Sequence, residues 1–405
     1  MTGAWTRRDF VKRAGLAVGT IAIGGSGAEL LAACGAPGSD TSTTIASGLP
    51  ETIKIGMNTT ITGKAAAEGE LAKKAAELAV AEINNKGGVA GKGKIQLIVQ
   101  DSQSTDQGAV TAFRKSIDSD AVDVFLGPVK STQVLAMIDQ INEARIPTIV
   151  GGTNVTLTQK GVKWLFRMRP NDGVAAPAMV KYITEELKLG KVAILHDSDA
   201  FGSGGGDLVE AALKAKNLTP VRREKYNGGD KDFTAQLSNI QKAGPEIMVL
   251  YATNIADDGV ILKQVKQLGL SFKIMGSPST AQTTVYDLAR EAQDGIFATV
   301  DYVPGSTPVA QGYADAYRKK YGIEPDDLSA WAYDAIYVFA DAIKAAGSVD
   351  KAKVRSAIGA IHSDVRVIGT VNFDKLGDGL HSVAVVQMAG GKKQLKKVET
   401  VLPAS

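Results

Sequence analysis

The chain has 405 residues, of which 44% are hydrophobic and 22% charged. That length and apolar share suit two or three domains with sizeable cores, and they exclude a disordered or collagen-like polypeptide. Its 46 basic and 43 acidic residues leave a net charge of +3, and past residue 33 the balance narrows to 42 against 41. Such a surface lacks the clustered basic footprint of a nucleic-acid binder, so no nucleic-acid partner is expected.

The amino terminus carries the most specific short signal. Arg7, Arg8, Lys12 and Arg13 precede a mildly apolar stretch over residues 14–23, and small residues lead to Leu31-Ala32-Ala33-Cys34. A charged start, a short apolar middle and small residues before a cut make an export signal, and the apolar part is too short for a committed membrane span. Thr6-Arg7-Arg8-Asp9-Phe10-Val11-Lys12 resembles a twin-arginine signal, and Leu31-Ala32-Ala33-Cys34 resembles a bacterial lipobox. The resemblance implies that residues 1–33 are a signal peptide, cleaved before Cys34, and that Cys34 receives the lipid. Cys34 is the single cysteine, which also forbids an internal disulfide. Two or more acyl chains hold a protein stably on a membrane. Residues 34–50, rich in Gly, Ser, Thr and Ala, are expected to be a flexible linker between lipid and folded body.

From residue 52 the pattern is an apolar strand at 53–57, a helix at 70–84, a glycine turn and a strand at 95–99. A helix at 107–119 leads to a strand at 122–127, and a helix at 132–143 to a strand at 146–150. A second series has strands at 191–195 and 247–251, with a helix at 207–216 between them and a helix, turn and strand over 264–276 behind them. Strands at this spacing, separated by amphipathic helices, demand parallel pairing with right-handed crossovers. The expected fold class is α/β, two Rossmann-like doubly wound lobes. An extended stretch at 296–303, helices at 311–321 and 331–346, and strands at 370–373 and 383–388 follow. The chain is therefore expected to cross between lobes several times, making a hinge around a cleft. The expected boundaries are 51–171 plus 304–376 for lobe one and 172–303 plus 377–405 for lobe two.

Several segments, in this order along the chain, carry a family resemblance. They are Ile61-Thr62-Gly63 with Gly69, Ala75-Ala76-Glu77-Leu78-Ala79-Val80-Ala81-Glu82-Ile83-Asn84-Asn85-Lys86-Gly87-Gly88, and Leu126-Gly127-Pro128 with Ser131. Phe166-Arg167-Met168-Arg169-Pro170-Asn171-Asp172, His196-Asp197 with Phe201-Gly202, Asp232-Phe233-Thr234-Ala235-Gln236-Leu237 and Trp331-Ala332-Tyr333-Asp334-Ala335 complete them. The body resembles the type I periplasmic binding proteins, specifically solute-binding subunits of branched-chain amino acid ABC transporters. The resemblance implies that a small-molecule ligand is held between the lobes and passed to ABC permease subunits. It implies that Ser131 and Thr153 hold the ligand's carboxylate, that Gly151 offers a backbone carbonyl, and that Phe201 closes over the ligand from the opposite lobe. Asn254, after the strand at 247–251, and Tyr333, near the hinge, are the further candidates. Taken alone, Ser131 is an ordinary helix cap, Thr153 a turn residue and Tyr333 a core aromatic.

Two departures from the resemblance bear on the ligand. Amino acid binders of the family place an acidic residue after the second-lobe strand to hold the ammonium, but here Gly276 is followed by Ser277-Pro278-Ser279. Glu68 stands where those binders carry an aromatic. It would replace the lost charge, bind an amide, hydroxyl or cation, or point into solvent. Lys130, beside Ser131, would favour an anion. The expected ligand is thus an amino acid or a related carboxylate or amide.

Catalytic and cofactor chemistry find no support. Phe201-Gly202-Ser203-Gly204-Gly205-Gly206-Asp207 imitates a dinucleotide loop, but its spacing is wrong and an acid at the start of the helix expected from residue 207 would repel a pyrophosphate. No P-loop occurs, no nucleophile elbow occurs, and His196, His362 and His381 lack metal-ligand spacing. No enzyme, metal or cofactor is expected, and Asp257-Asp258 reads as a helix cap. A ligand-sensing module working with a separate signalling partner is the alternative. A receptor of that kind would run on into a membrane span, whereas polar Gly391-Lys392-Lys393-Gln394 lie close to Ser405.

Overall fold

A computed structural model describes residues 48–400, with 363 and 381 excepted. The signal peptide, Cys34 and most of the linker lie outside the described residues. The first strand, β1 (Thr52–Thr59), has five buried residues at its end, the mark of a strand covered on both faces. It pairs in parallel with β2 (Lys94–Asp101), from Thr52 opposite Lys94 to Thr59 opposite Asp101. With β3 (Val124–Leu126), β4 (Thr148–Val150) and β5 (Leu165–Arg167) they form an all-parallel sheet in the order β2-β1-β3-β4-β5. The crossovers are α1 (Ala66–Asn85), α2 (Asp106–Asp118), α3 (Ser131–Ala144) and the short α4 (Thr156–Gln159).

The second sheet begins after α5 (Asp172–Lys181) and a π-helical turn Tyr182–Glu186. It contains β6 (Val192–Asp197), β7 (Arg222–Tyr226), β8 (Ile247–Tyr251), β9 (Lys273–Gly276) and β10 (Phe297–Val300). Helices α6 (Ala200–Ala215), α7 (Thr234–Lys242), α8 (Ile255–Gln267) and α9 (Thr283–Ala289) alternate with these strands. The chain then runs through α10 (Pro308–Tyr321), α11 (Asp327–Ala346) and α12 (Lys351–Gly359), whose apolar faces join the core over β1 and α1. A small hairpin of β11 (Asp364–Arg366) and β12 (Gly369–Val371) follows. The last strands, β13 (Ser382–Ala389) and β14 (Lys392–Thr400), return antiparallel to the second sheet, giving the order β14-β13-β10-β9-β8-β6-β7.

Each sheet has an apolar cluster on both faces, as a doubly wound architecture requires. The α/β class with two Rossmann-like halves is therefore what the sequence pattern anticipates. Three segments, 168–171, 301–307 and 372–381, connect the sheets. Leu380 still bridges Val371 and Asp378 still bridges Arg167, so the third connection leaves the first half only after residue 380.

One expected element differs. The helix predicted from residue 207 begins at Ala200 and runs through the glycines read as a turn. Asp199 caps it by accepting from Gly202 N at 2.8 Å. A glycine inside a helix costs about 1 kcal/mol relative to alanine, but here bare backbone lets the helix approach the sheet. A Cβ on Gly205 would stand 2.2 Å from the Tyr251 ring, and one on Gly202 would stand 2.4 Å from Asp197 O. Asp207 consequently lies inside the helix and pairs with Arg223 at 2.6 Å.

Candidate functional site

The carboxyl ends of the parallel strands in both sheets meet at one cleft, the place where open α/β sheets build ligand sites. It encloses about 490 Å³, its open mouth included, and is lined by residues that follow β3, β4, β5, β6, β8 and β9. Glu68, Ser131, Thr153 and Phe201 of the sequence-predicted set all line it. Gly127, at φ 91°, sets up the loop after β3: a side chain there would come within 2.3 Å of Asn58 O.

Ser131 is the first residue of α3, which has no side-chain cap. Its Oγ accepts from Asn154 N at 3.2 Å, leaving its own proton to donate. The amino end of a helix carries partial positive charge and N–H groups without helical partners, so an anion binds there readily. Thr153 is buried, and its backbone carbonyl accepts from Asp172 N at 2.9 Å. Burial pushes Asp172 up to about 7, against the opposing pull of Arg167, Thr153 and Arg169.

Glu68 is only 4% exposed, which removes the solvent-facing alternative. Its carboxylate pairs with Lys130 and accepts from Ile255 N, the first residue of α8, at 3.4 Å. Lys130 Nζ also donates to Thr253 O at 2.7 Å, and Asn154 Nδ2 donates to Ala200 O at 2.7 Å. These contacts join the first half to the second across the cleft. Phe201 packs against Tyr251 with ring centroids 5.3 Å apart and planes tilted by 54°.

The remaining predicted residues lie elsewhere. Gly151 sits beneath the cleft against the indole of Trp331, 2.7 Å from where its Cβ would stand. Asn254 precedes α8, donates to Asp257 at 3.1 Å and faces a neighbouring depression with Asp197 and Asp199. Tyr333 packs in the first core beside Tyr313 and donates to Glu82 at 2.6 Å, as Tyr337 does at 2.7 Å. Asp257 and Asp258 lie in the first turn of α8, and Asp258 accepts from Thr280 at 2.7 Å.

Sequence reasoning did not single out Arg169, Gln282 or Leu328, which also line the cleft. Arg169 grips Asp301 through two hydrogen bonds, 2.5 and 3.1 Å long, joining two of the connecting segments. Burial pushes Asp301 up to about 6 despite that partner. Arg169 carries no periodic signal, because it belongs to a connection, and Leu328 lies in the first turn of α11, ahead of the helix expected from residue 331. Gln282 follows the strand at 273–276 closely enough that its position was available as a clue. Among the described residues no group of three potential metal ligands gathers, and no helix is long and apolar enough to cross a membrane.

A sequence model described as periplasmic binding protein matches residues 52–393. The chain belongs to that family. The periplasmic binding protein is a solute-binding protein, not an enzyme. It is 29% identical over 329 residues to the leucine-, isoleucine-, valine-, threonine-, and alanine-binding protein of Pseudomonas aeruginosa, covering 81% of this chain and 87% of that one. A leucine-binding protein structure from Thermotoga maritima aligns with TM-score 0.80 at 27% identity, over 86% of this chain and 99% of the other. The branched-chain amino acid transporter substrate-binding protein of Streptococcus pneumoniae, solved with isoleucine, gives TM-score 0.80 at 26% identity, over 87% and 100%. The type I fold and the kinship with branched-chain amino acid binders thus agree with the sequence resemblance.

Proposed function

We propose that this periplasmic binding protein is an extracytoplasmic lipoprotein that captures a small carboxylate-bearing solute, of the amino acid or related carboxylate or amide class, and delivers it to an ABC permease. The observation that carries the reading is the juxtaposition of Ser131, at the uncapped start of α3, with Thr153 in a cleft between the two sheets. The two halves, 51–171 with 304–380 and 172–303 with 382–400, act as lobes that close over the solute. Amino-acid binding by the relatives supports the solute class.

The seat is tested by calorimetry on Ser131→Ala/Thr153→Ala. Each lost hydrogen bond to a charged group is worth about 1.5 to 3 kcal/mol, so the pair should weaken binding of a carboxylate by roughly a hundredfold or more. Unchanged affinity would remove the assignment. The anchor is tested separately by fractionation. Cys34→Ala should leave the membrane fraction while still binding solute, and retention there would sink the lipid tether.

A further inference from the structure

Two features of the cleft bear on what its solute carries besides a carboxylate. Gln282 is 0% exposed and lines the cleft. Its Nε2 donates to Pro278 O at 2.7 Å and to Asp327 Oδ2 at 3.1 Å, and since both partners are acceptors the orientation of the amide is fixed. Its Oε1 is buried and has no hydrogen-bond partner. A buried carbonyl oxygen without a donor is costly, so a solute that brings a donor to it gains more than one that does not.

The second feature is where the negative charge stands. Among the described residues Glu68 is the one acidic side chain lining the cleft, and both of its oxygens are engaged, by Lys130 and by Ile255 N. The second half contributes Phe201, Thr253, Ile255, Pro278, Ser279 and Gln282, with no acid among them. Lys130 and Arg169 are the lining cations. A buried ammonium needs a negative partner of its own, whereas a hydroxyl needs only an acceptor. Val129, Phe201, Ile255 and Leu328 supply an apolar wall for a short aliphatic or aromatic body.

We propose that this cleft, taken as the carboxylate seat described above, selects an acid that bears a neutral hydrogen-bond donor such as a hydroxyl and no ammonium, with Gln282 Oε1 as the acceptor that reads the donor. Glu68 then sets the charge balance by holding Lys130, and it does not ligate the solute.

The test is calorimetry of the full chain with three matched sets: leucine, 2-hydroxy-4-methylpentanoate and 4-methylpentanoate; phenylalanine, phenyllactate and phenylpropionate; and 3- and 4-hydroxybenzoate against benzoate. The expected result is that a hydroxy acid binds at least about tenfold more tightly than its unsubstituted parent and its amino counterpart. Tighter binding of the amino acid overturns the inference and leaves the carboxylate seat standing. Equal affinity within every set also overturns it, because Gln282 then reads nothing. Binding of none of these acids overturns both the inference and the seat. Two variants sharpen the result. Gln282→Met should erase the preference for the hydroxyl, and if that variant does not fold the matched sets still decide. Glu68→Gln keeps an acceptor for Ile255 N and frees Lys130, so the hydroxy acid should bind as well or better. A tenfold loss there would show that the Glu68 carboxylate itself contacts the solute and would overturn the assignment.

Discussion

At Gly205 the close approach of helix to sheet leaves no space for a methyl group. The nearest atoms to a Cβ there are Tyr251 ring carbons at 2.2 Å, and Tyr251 is itself fully buried under β6 and β8 neighbours. Because the obstacle is a ring locked in the core rather than the free end of a flexible chain, α6 must shift to accept even alanine. Overpacking of this kind costs about 1–3 kcal/mol, more than the gain in helix propensity of roughly 1 kcal/mol returns. Gly205→Ala is therefore expected to lower the urea midpoint and, because Phe201 rides on the same helix and packs against the same tyrosine, to weaken solute binding as well. An unchanged midpoint would show that α6 slides without penalty and that the glycines serve some other end.

Among the elements, β5 is held to the third connecting segment by backbone hydrogen bonds to Gly377 and Gly379 and by one buried side chain. Arg167 is 0% exposed; its Nε donates to Asp378 at 2.7 Å, its NH1 to Asn154 O at 2.6 Å and its NH2 to Thr158 at 2.9 Å. Removing one partner of a buried pair strands the other charge, at about 3–5 kcal/mol. Arg167→Met should cost stability of that order in chemical denaturation, and Arg167→Met with Asp378→Leu should recover part of it; no recovery would mean that the arginine acts chiefly through Asn154 and Thr158. The sequence made β5 hard to see for the same reason, since three residues offer no period. Strands β7 and β14 were illegible because they are edges: Arg222-Arg223-Glu224-Lys225-Tyr226 and the lysine-rich run from Lys392 keep water on one side and discourage pairing with another chain. Strands buried on both faces, such as β6 and β8, were legible as apolar runs, and they point to the cleft because site residues follow their carboxyl ends. What could not be read was what depends on distant partners. Gly151 packs under Trp331, Tyr333 turns to Glu82, and Arg169 meets Asp301 across 132 positions of sequence.

Across the whole molecule, buried carboxyl groups set the response to pH. Burial raises Asp172, Asp326 and Asp334 to about 7, and Asp197 and Asp301 to about 6, from an ordinary value of 3.8. A carboxyl whose folded value lies above its unfolded one takes up a proton on folding, so its contribution is fully present below about 4 and is lost as pH rises through the folded value. Stability should accordingly fall between about pH 4 and pH 7, the reverse of the loss on acidification expected where paired carboxylates dominate. Urea unfolding at several pH values across that window checks this, and stability that rises through it would show that those groups are ionised in the folded chain. The same window reaches the cleft through Asp172, which touches Thr153, faces the Tyr251 hydroxyl at 3.5 Å and feels Arg167 and Arg169. A carboxylate seated by Ser131 and Thr153 is repelled by ionised Asp172 and not by its neutral form. Affinity for an acid should then decline as pH passes about 7, and Asp172→Asn, which stays neutral throughout, should flatten the profile. A profile equally steep in that variant would move the titrating group away from the seat.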